Sequence, residues 1–295
     1  MSEKTSDKRV VIITGSGKGL GRAFALNAAA NGACVVVNNR KRDSEPSAAD
    51  AVVAEIKAAG GEAVANYHDV REDGAAQGLV DAALNAWGRL DAIVLNAGIN
   101  GPAARFANQT GDGFRDVLET NFFANLAIVQ TALPHIVASG AGRIVLVASS
   151  AGLYGVRGRA PYAASKGALV GLGLTISHEL RRDGVGVNVL APYATTQMTA
   201  DAMAASEEIA QRMTPEAVAP LATYLASAAC DANGEIWVSG GGYVRRARMM
   251  EGDGAHFATV GEVAAALEAG RPMHGAAGFP GAEASFADFA AKGAR

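Results

Sequence analysis

Val10-Val11-Ile12-Ile13-Thr14-Gly15-Ser16-Gly17-Lys18-Gly19-Leu20-Gly21 is a short β-branched run that stops in a glycine-rich turn, and Arg22–Asn31 behind it is rich in alanine. An unbroken apolar run of this length reads as a strand buried on both faces, and the alanines favour a helix after it. The glycines let the chain turn tightly. The helix then offers unpaired N–H groups and the positive end of its dipole to an anion such as a pyrophosphate. Strict G-x-G-x-x-G spacing fails because Leu20 stands in the last glycine's place; the pattern that fits is T-G-x-x-x-G-x-G. Gly15, Ser16, Lys18, Gly19, Leu20 and Gly21 are therefore candidate nucleotide contacts.

The same alternation continues outward from this turn. Further strands are expected at Cys34–Asn38, Ala63–Tyr67, Ala92–Leu95, Arg143–Ala148, Gly186–Leu190 and Glu235–Val238, seven with the first. Helices are expected near 19–31, 47–59, 72–87, 112–138, 160–182 and 215–228. Buried strands with helices between them mean a parallel sheet covered on both sides. The expected fold is a doubly wound, seven-stranded parallel sheet of Rossmann type in three α/β/α layers, with ligands beyond the carboxyl ends of the strands. That domain is expected over 8–245, with a C-terminal extension over 246–295 in which one helix, Val260–Ala269, is legible.

Composition narrows the class. The 295 residues are 49% hydrophobic and 19% charged, which excludes a disordered chain, and the net charge of −3 gives no reason to expect nucleic acid. No apolar run reaches the roughly 18 residues that cross a bilayer, and no membrane partner is expected. Met1–Arg9 is polar, unlike a secretory signal. Cys34 and Cys230 are too few and too far apart for a disulfide framework, and neither they nor the five histidines show metal-ligand spacing. A cytoplasmic protein without a metal site is expected.

The second strand ends in Asn38-Asn39-Arg40-Lys41-Arg42, where a carboxylate for ribose hydroxyls is usual in this kind of fold. An acid there would repel a ribose 2′-phosphate by about 4 kcal/mol per charge pair at contact. Asn39 does not, and Arg40 with Lys18 is able to clamp the phosphate. The favoured cofactor is NADP(H), with NAD(H) possible; the alternative is a solvated cationic loop.

At the other end, Arg143–Ala148 runs into Ser149-Ser150, and Tyr162-Ala163-Ala164-Ser165-Lys166 follows. Positions i and i+4 share a helix face, so Tyr162 and Lys166 point into one space. A phenol of pKa about 10 is a poor base at neutral pH, and a nearby ammonium together with an oxidised nicotinamide lowers it. Ser149 is placed to hydrogen-bond a substrate oxygen as charge develops on it.

With Thr14–Gly21, Asn96-Ala97-Gly98, Asn121, Ser149 and Tyr162-x-x-x-Lys166, residues 8–245 resemble the short-chain dehydrogenase/reductase family. The resemblance implies a catalytic tetrad of Asn121, Ser149, Tyr162 and Lys166. In it Tyr162 exchanges the proton, Ser149 orients the carbonyl, Lys166 holds the nicotinamide ribose and Asn121 holds a relaying water. It also implies cofactor contacts from Asp69 and Val70 at the adenine, from Asn96, Ala97 and Gly98, and from Pro192, Thr195 and Thr196 near the carboxamide. Ala65-Asn66-Tyr67, Ala191-Pro192, Met198-Thr199, Pro215-Glu216, Val218-Ala219-Pro220-Leu221 and Asn233-Gly234 look most like the hydroxyacyl-CoA dehydrogenase module of peroxisomal multifunctional enzymes and its bacterial relatives. Two departures stand out: Asn39 replaces that branch's usual acid, and Pro192-Tyr193 replaces Pro-Gly, leaving Tyr193 as substrate wall or core.

Three stretches should frame the substrate: Ile99–Gly113, Gly152–Arg159 and a Met198–Met213 flap carrying Met198, Met203 and Met213. Arg157 and Arg159 are either partners for a substrate carboxylate or phosphate, or solvated cations. The expected activity is hydride transfer between NAD(P)(H) and a small-molecule ketone or secondary alcohol, steroid-like or aromatic, with a 3-hydroxyacyl-CoA next. A non-catalytic nucleotide-sensing regulator is the alternative. Apolar positions such as Leu169, Leu172, Leu174 and Ile176 are expected to face a second subunit in a homodimer or homotetramer.

Overall fold

The computed structural model describes residues 8–41, 47–195 and 207–293. The chain divides into two compact units, Met1–Arg246 and Ala247–Arg295. In the first, seven strands pair in parallel: β1 (Val10–Ile13), β2 (Cys34–Asn38), β3 (Glu62–Asn66), β4 (Ala92–Leu95), β5 (Arg143–Val147), β6 (Gly186–Pro192) and β7 (Glu235–Gly240). The order β3-β2-β1-β4-β5-β6-β7 reverses direction between β1 and β4, which opens the crevice where such folds take ligands.

The expected seven strands become eight, because β8 (Tyr243–Ala247) joins the edge beside β7. Gly241 and Gly242 link the two, both at positive φ (58° and 74°), the backbone of a two-residue hairpin turn. An antiparallel strand needs no crossover helix, so the helical spacing that marks the other strands is missing here. Arg246, on β8, pairs with Glu235 on β7.

The strands are buried on both faces. Val11, Ile13, Val35, Val37, Val145 and Val147 point to one side, under Phe24 of α1 (Gly19–Ala30) and Val52, Val53 and Ile56 of α2 (Ala48–Ala58), with the helix Ala219–Leu225 beside them. The opposite side packs on α3 (Ala75–Trp87), α5 (Ala124–Ala138) and α7 (Ala160–Glu179). Between α3 and α5 lies α4 (Gly111–Leu118), and α6 (Ser150–Tyr154) precedes α7. Ser47 caps α2 and Thr110 caps α4, each accepting a backbone N–H from three residues on.

One expectation needs correction. Leu169 is 0% exposed and belongs to the core; of the apolar positions expected at a subunit face, only Leu172, Leu174 and Ile176 remain half-exposed. Gly111–Ala138 runs on as one helix through a π-helical turn, long and apolar enough in composition to cross a bilayer although no single apolar run is. Its inner face, with Val117, Ile128, Ala132 and Ile136, is buried as in a core helix.

In the second unit, the helix expected at Val260–Ala269 is present, and a further one spans Ala282–Gly293. Glu251 and Ala277 form an isolated antiparallel bridge there.

Candidate active site

The carboxyl ends of β1 and β4 are stitched by side chains. Thr14 Oγ1 accepts the backbone N–H of Asn96 and of Ala97, both at 3.0 Å. Asn96 Nδ2 donates back to the carbonyls of Thr14 (3.1 Å) and Gly15 (3.3 Å). Gly15 sits at φ 62°, and a Cβ on Gly21 would collide with the Gly15 carbonyl and come within 2.6 Å of Asn96 Nδ2. Glycine at these positions lets the turn close against β4 and leaves the start of α1 open to a phosphate.

Next to this turn, buried asparagines end β2 and β3. Asn38 Oδ1 accepts from Gly15 N (3.3 Å), and Asn38 Nδ2 donates to Asn66 Oδ1 (2.9 Å) and the His68 carbonyl (3.0 Å). The result is an open cleft of about 400 Å³ lined by Gly15, Asn39, Arg40, Asp69, Val70, Ala97 and Gly98, together with Arg71 and Asp116. Asn39 packs on the glycine turn, since a Cβ at Gly17 would come within 2.7 Å of its Cγ. Arg40 is ion-paired with Asp69 (3.1 Å), and Arg71 bonds the same carboxylate at 3.3 Å and Asp116 at 2.9 Å. These cations offset the burial of Asp69, so its carboxyl lies below the usual range.

The cleft leads to the second cluster. Ser149 follows the end of β5 and caps α6, its hydroxyl accepting the Ala151 N–H (3.1 Å). The same hydroxyl acts on the Tyr162 phenol at the start of α7, favouring its charged form. Lys166, one turn further and 3% exposed, donates from Nζ to the Val147 carbonyl (2.7 Å), with Nζ 5.9 Å from the Tyr162 ring centre. A Cβ on Gly152 would meet the Lys166 backbone at 2.6 Å, so α6 is seated directly on α7 at this point.

Asn121 stands in the π-helical turn Glu119–Phe123, where the extra residue breaks the helical hydrogen-bond ladder. Its amide reaches across to β4's outgoing loop, accepting from Ile99 N (2.8 Å) and donating to the Ile99 carbonyl (2.9 Å) and Ser165 Oγ (2.9 Å). Gly98 lies between Asn121 and Lys166: a Cβ there would be 3.0 Å from Asn121 Oδ1 and 3.5 Å from Lys166 Nζ.

The electrostatics differ from the sequence expectation in one respect. Burial pushes the Tyr162 phenol up from its ordinary value, against opposing pulls from the Ser149 hydroxyl and the Arg159 guanidinium. Burial also lowers Lys166, to about 8. The lysine is not among the groups that pull the phenol down, because burial lowers its own pKa and it gives up its proton before the phenol does.

The fold thus brings Asn121, Ser149, Tyr162 and Lys166 to one end of the crevice and Gly15, Asn39, Arg40, Asp69, Val70, Ala97 and Gly98 to the other. Ser16 is buried, its hydroxyl donating to the Ile13 carbonyl (2.6 Å), and supports the turn. Lys18 is exposed at the start of α1, clear of Arg40's ion pair with Asp69. Pro192 ends β6, and Tyr193 prolongs its pairing through N–H to the Ser239 carbonyl (2.7 Å). Thr195 N–H donates to the Met213 carbonyl (2.6 Å), which seats the end of the helix Glu207–Arg212 there. Thr196, Met198 and Met203 lie outside the described residues.

Sequence reading missed Asn38, Asn66 and Arg71. The asparagines had a signal: an amide at the last position of two apolar strands, where burial demands a partner. Arg71 had none, because Asp116 lies 45 residues away.

A doubly wound sheet with a glycine cradle at its switch point and a Ser-Tyr-Lys cluster beside it defines a nicotinamide-dependent oxidoreductase. The comparisons with known proteins agree. Residues 9–208 match the family model for short chain dehydrogenase. The chain is 39% identical over 254 residues to a putative short-chain type dehydrogenase/reductase of Mycobacterium tuberculosis, covering 84% of this chain and 88% of that protein. It is 37% identical to mouse peroxisomal multifunctional enzyme type 2, covering 82% of this chain but 33% of the longer enzyme. The crystal structure of a short chain dehydrogenase from Mycobacterium avium superposes with a TM-score of 0.79 at 36% identity, covering 90% and 96% of the two chains. This chain belongs to the short-chain dehydrogenase/reductase family, is related to the dehydrogenase module of the peroxisomal multifunctional enzymes, and is an NAD(P)-dependent oxidoreductase acting on CH–OH groups.

Proposed function

We propose that Tyr162 is the acid/base of a ketone reductase or secondary-alcohol dehydrogenase that favours NADP(H). The observation that carries this reading is the Tyr162 phenol, half-buried, acted on by the Ser149 hydroxyl and one helical turn from Lys166, whose Nζ reaches Gly98 on the wall of the nucleotide cleft. When bound, the nicotinamide supplies or accepts the hydride. A phenol raised by burial rests protonated at neutral pH, ready to give its proton to a carbonyl oxygen. Ser149 donates to that same oxygen and stabilises the negative charge that develops on it. Lys166, fixed by the Val147 carbonyl, binds the ribose hydroxyls. Asn121, pinned through Ile99 and Ser165, positions the water that returns the proton from solvent.

The preference for NADP(H) rests on charge. No acid stands at Asn39, and in the cleft lining Arg40 and Arg71 balance Asp69 and Asp116, so a 2′-phosphate meets no excess of negative charge. A ribose 2′-phosphate would take Arg40 from Asp69, leaving that carboxylate to Arg71. An apolar substrate, steroid-like or aromatic, is supported by the exposed Phe106 (76%) in the segment after β4 and Tyr154 (74%) at the end of α6; a 3-hydroxyacyl-CoA ranks second. A cytoplasmic setting accords with the two buried free cysteines.

The test is a panel of ketones, steroids and acyl-CoA esters assayed with NADPH and NADH, in wild type and Tyr162→Phe. The variant should bind nucleotide normally and lose turnover by a hundredfold or more. Undiminished turnover in Tyr162→Phe would sink the catalytic assignment, and a clear NADH preference would sink the charge argument.

A further inference from the structure

Two segments surround the catalytic phenol: Ile99–Thr110 after β4, and Ser149–Lys166, which holds α6, the first turns of α7 and Tyr162 itself. They contain Arg105, Arg157, Arg159 and Lys166 and not one aspartate or glutamate. The fold ties them together. Ala104 N–H donates to the Gly158 carbonyl (2.9 Å), and Gln109 Nε2 reaches the carbonyls of Ala104 (3.0 Å) and Gly158 (3.4 Å). Arg105 and Arg157 flank this tie, one on each loop, and both are exposed.

Arg159 differs from these two. It is half-buried at the start of α7, one turn before Tyr162, and Nη1 donates to the Gly101 carbonyl at 3.2 Å. That bond holds the guanidinium against the loop from β4 and within electrostatic reach of the phenol. Its partner is a neutral carbonyl, and among the described residues no carboxylate stands within ion-pair distance of it. A guanidinium that is partly desolvated, held in place and without a counter-charge beside a reacting centre is suited to take a carboxylate from a ligand, with donors left over for a two-point contact.

Building on the oxidoreductase reading above, we propose that Arg159 is a specificity-determining residue that binds a carboxylate of the substrate, so that the preferred substrates are short oxo- or hydroxy-carboxylates carrying an apolar or aromatic body. Arg159 lies one turn from the phenol, so the anion must sit close to the reacting carbonyl. A carrier's phosphate, separated from its carbonyl by a long arm, does not meet that requirement. The exposed Arg105 and Arg157 add attraction at the entrance without contacting the reacting atoms.

Two matched pairs test this: benzoylformate against its methyl ester, and benzoylacetate against its methyl ester, each reduced by NADPH and by NADH. Wild type should favour the carboxylate of at least one pair by tenfold or more in kcat/KM, expressed mainly in KM. Arg159→Gln should bring that ratio within about twofold of unity, and Arg159→Lys, which keeps the charge but loses the fork, should retain part of it. The ratio within each variant separates carboxylate binding from any general loss caused by loosening the Gly101 contact. The proposal is overturned if the esters are reduced as well as the acids in both pairs, if Arg159→Gln keeps the preference, or if neutral ketones turn over and none of these four compounds does. Failure of every ketone with both nucleotides would overturn the underlying catalytic reading instead, and this inference with it.

Discussion

Lys166 shows how a single side chain links stability to catalysis in this site. Its ammonium is buried, and its one hydrogen bond goes to the Val147 carbonyl. Its folded value of about 8 lies below the unfolded value of 10.5. Between those values the unfolded chain holds more protons than the folded one, so this group makes stability rise with pH across that window. Tyr162 acts with the opposite sign. Its folded value is raised, so its contribution is present below the ordinary phenol range and is lost as pH climbs through the folded value. Lys166→Met removes the buried charge at little cost in volume, and should melt no lower than wild type at pH 7 while losing the rise in melting temperature between pH 8 and 10. A flat profile in wild type would contradict this assignment of the charge. Ser149→Ala should lower kcat by 10²–10³ and shift the basic limb of the pH–rate profile upward, because one of the two pulls against burial is gone. The Tyr162–Lys166 pairing was legible in sequence as i, i+4 spacing. The upward direction of the phenol was not, since it depends on burial by elements distant in the chain.

At the scale of elements, the site depends on how strand ends meet the turns that leave them. Gly21→Ala drives a methyl into the Gly15 carbonyl and the Asn96 amide, so the start of α1 must move away from β4. Nucleotide affinity should fall at least tenfold, read by quenching of reduced-nucleotide fluorescence; unchanged affinity would show that the turn does not cradle the pyrophosphate. Asn121→Ala leaves both the N–H and the carbonyl of Ile99 without their partner, at a cost of about 1–3 kcal/mol for each group that stays buried. Thermal melting should register that loss, and a rise in KM should accompany it because Ile99 opens the loop beside the phenol. The parallel strands could be read from apolar runs and alanine-rich spacers. β8 could not be read that way, because its exposed Tyr243, Val244, Arg245 and Arg246 carry no buried-strand pattern; its one signal was Gly241-Gly242. The π-helical turn at Asn121 also escaped, because a single extra residue in a ladder leaves the 3.6-residue periodicity almost unchanged.

For the molecule as a whole, the half-exposed Leu172, Leu174 and Ile176 on α7 and the exposed Phe123 between α4 and α5 leave apolar surface that a second copy would cover. We expect a homodimer or homotetramer, and light scattering at micromolar concentration checks it; a clean monomer would refute it. The case is narrower than sequence suggested, because Leu169 turned inward to the sheet. A helix buried on one side shows its apolar residues in sequence without showing which of two neighbours covers each.

Local features of the chain were sufficient for the strand–turn–helix at Val10–Gly21, the parallel character of the sheet and the shared face of Tyr162 and Lys166, because each depends on residues a few positions apart and on backbone geometry that repeats. Long-range packing set the remainder. It determined which carboxylate Arg40 meets, where Arg71 and Asn38 enter the cleft, and that Arg159 lies within electrostatic reach of the phenol with, among the described residues, a neutral carbonyl for a partner. Hydrogen bonds and charge pairs between distant segments depend on burial and on the distances the sheet imposes, and neither is encoded in the spacing of residues along the chain.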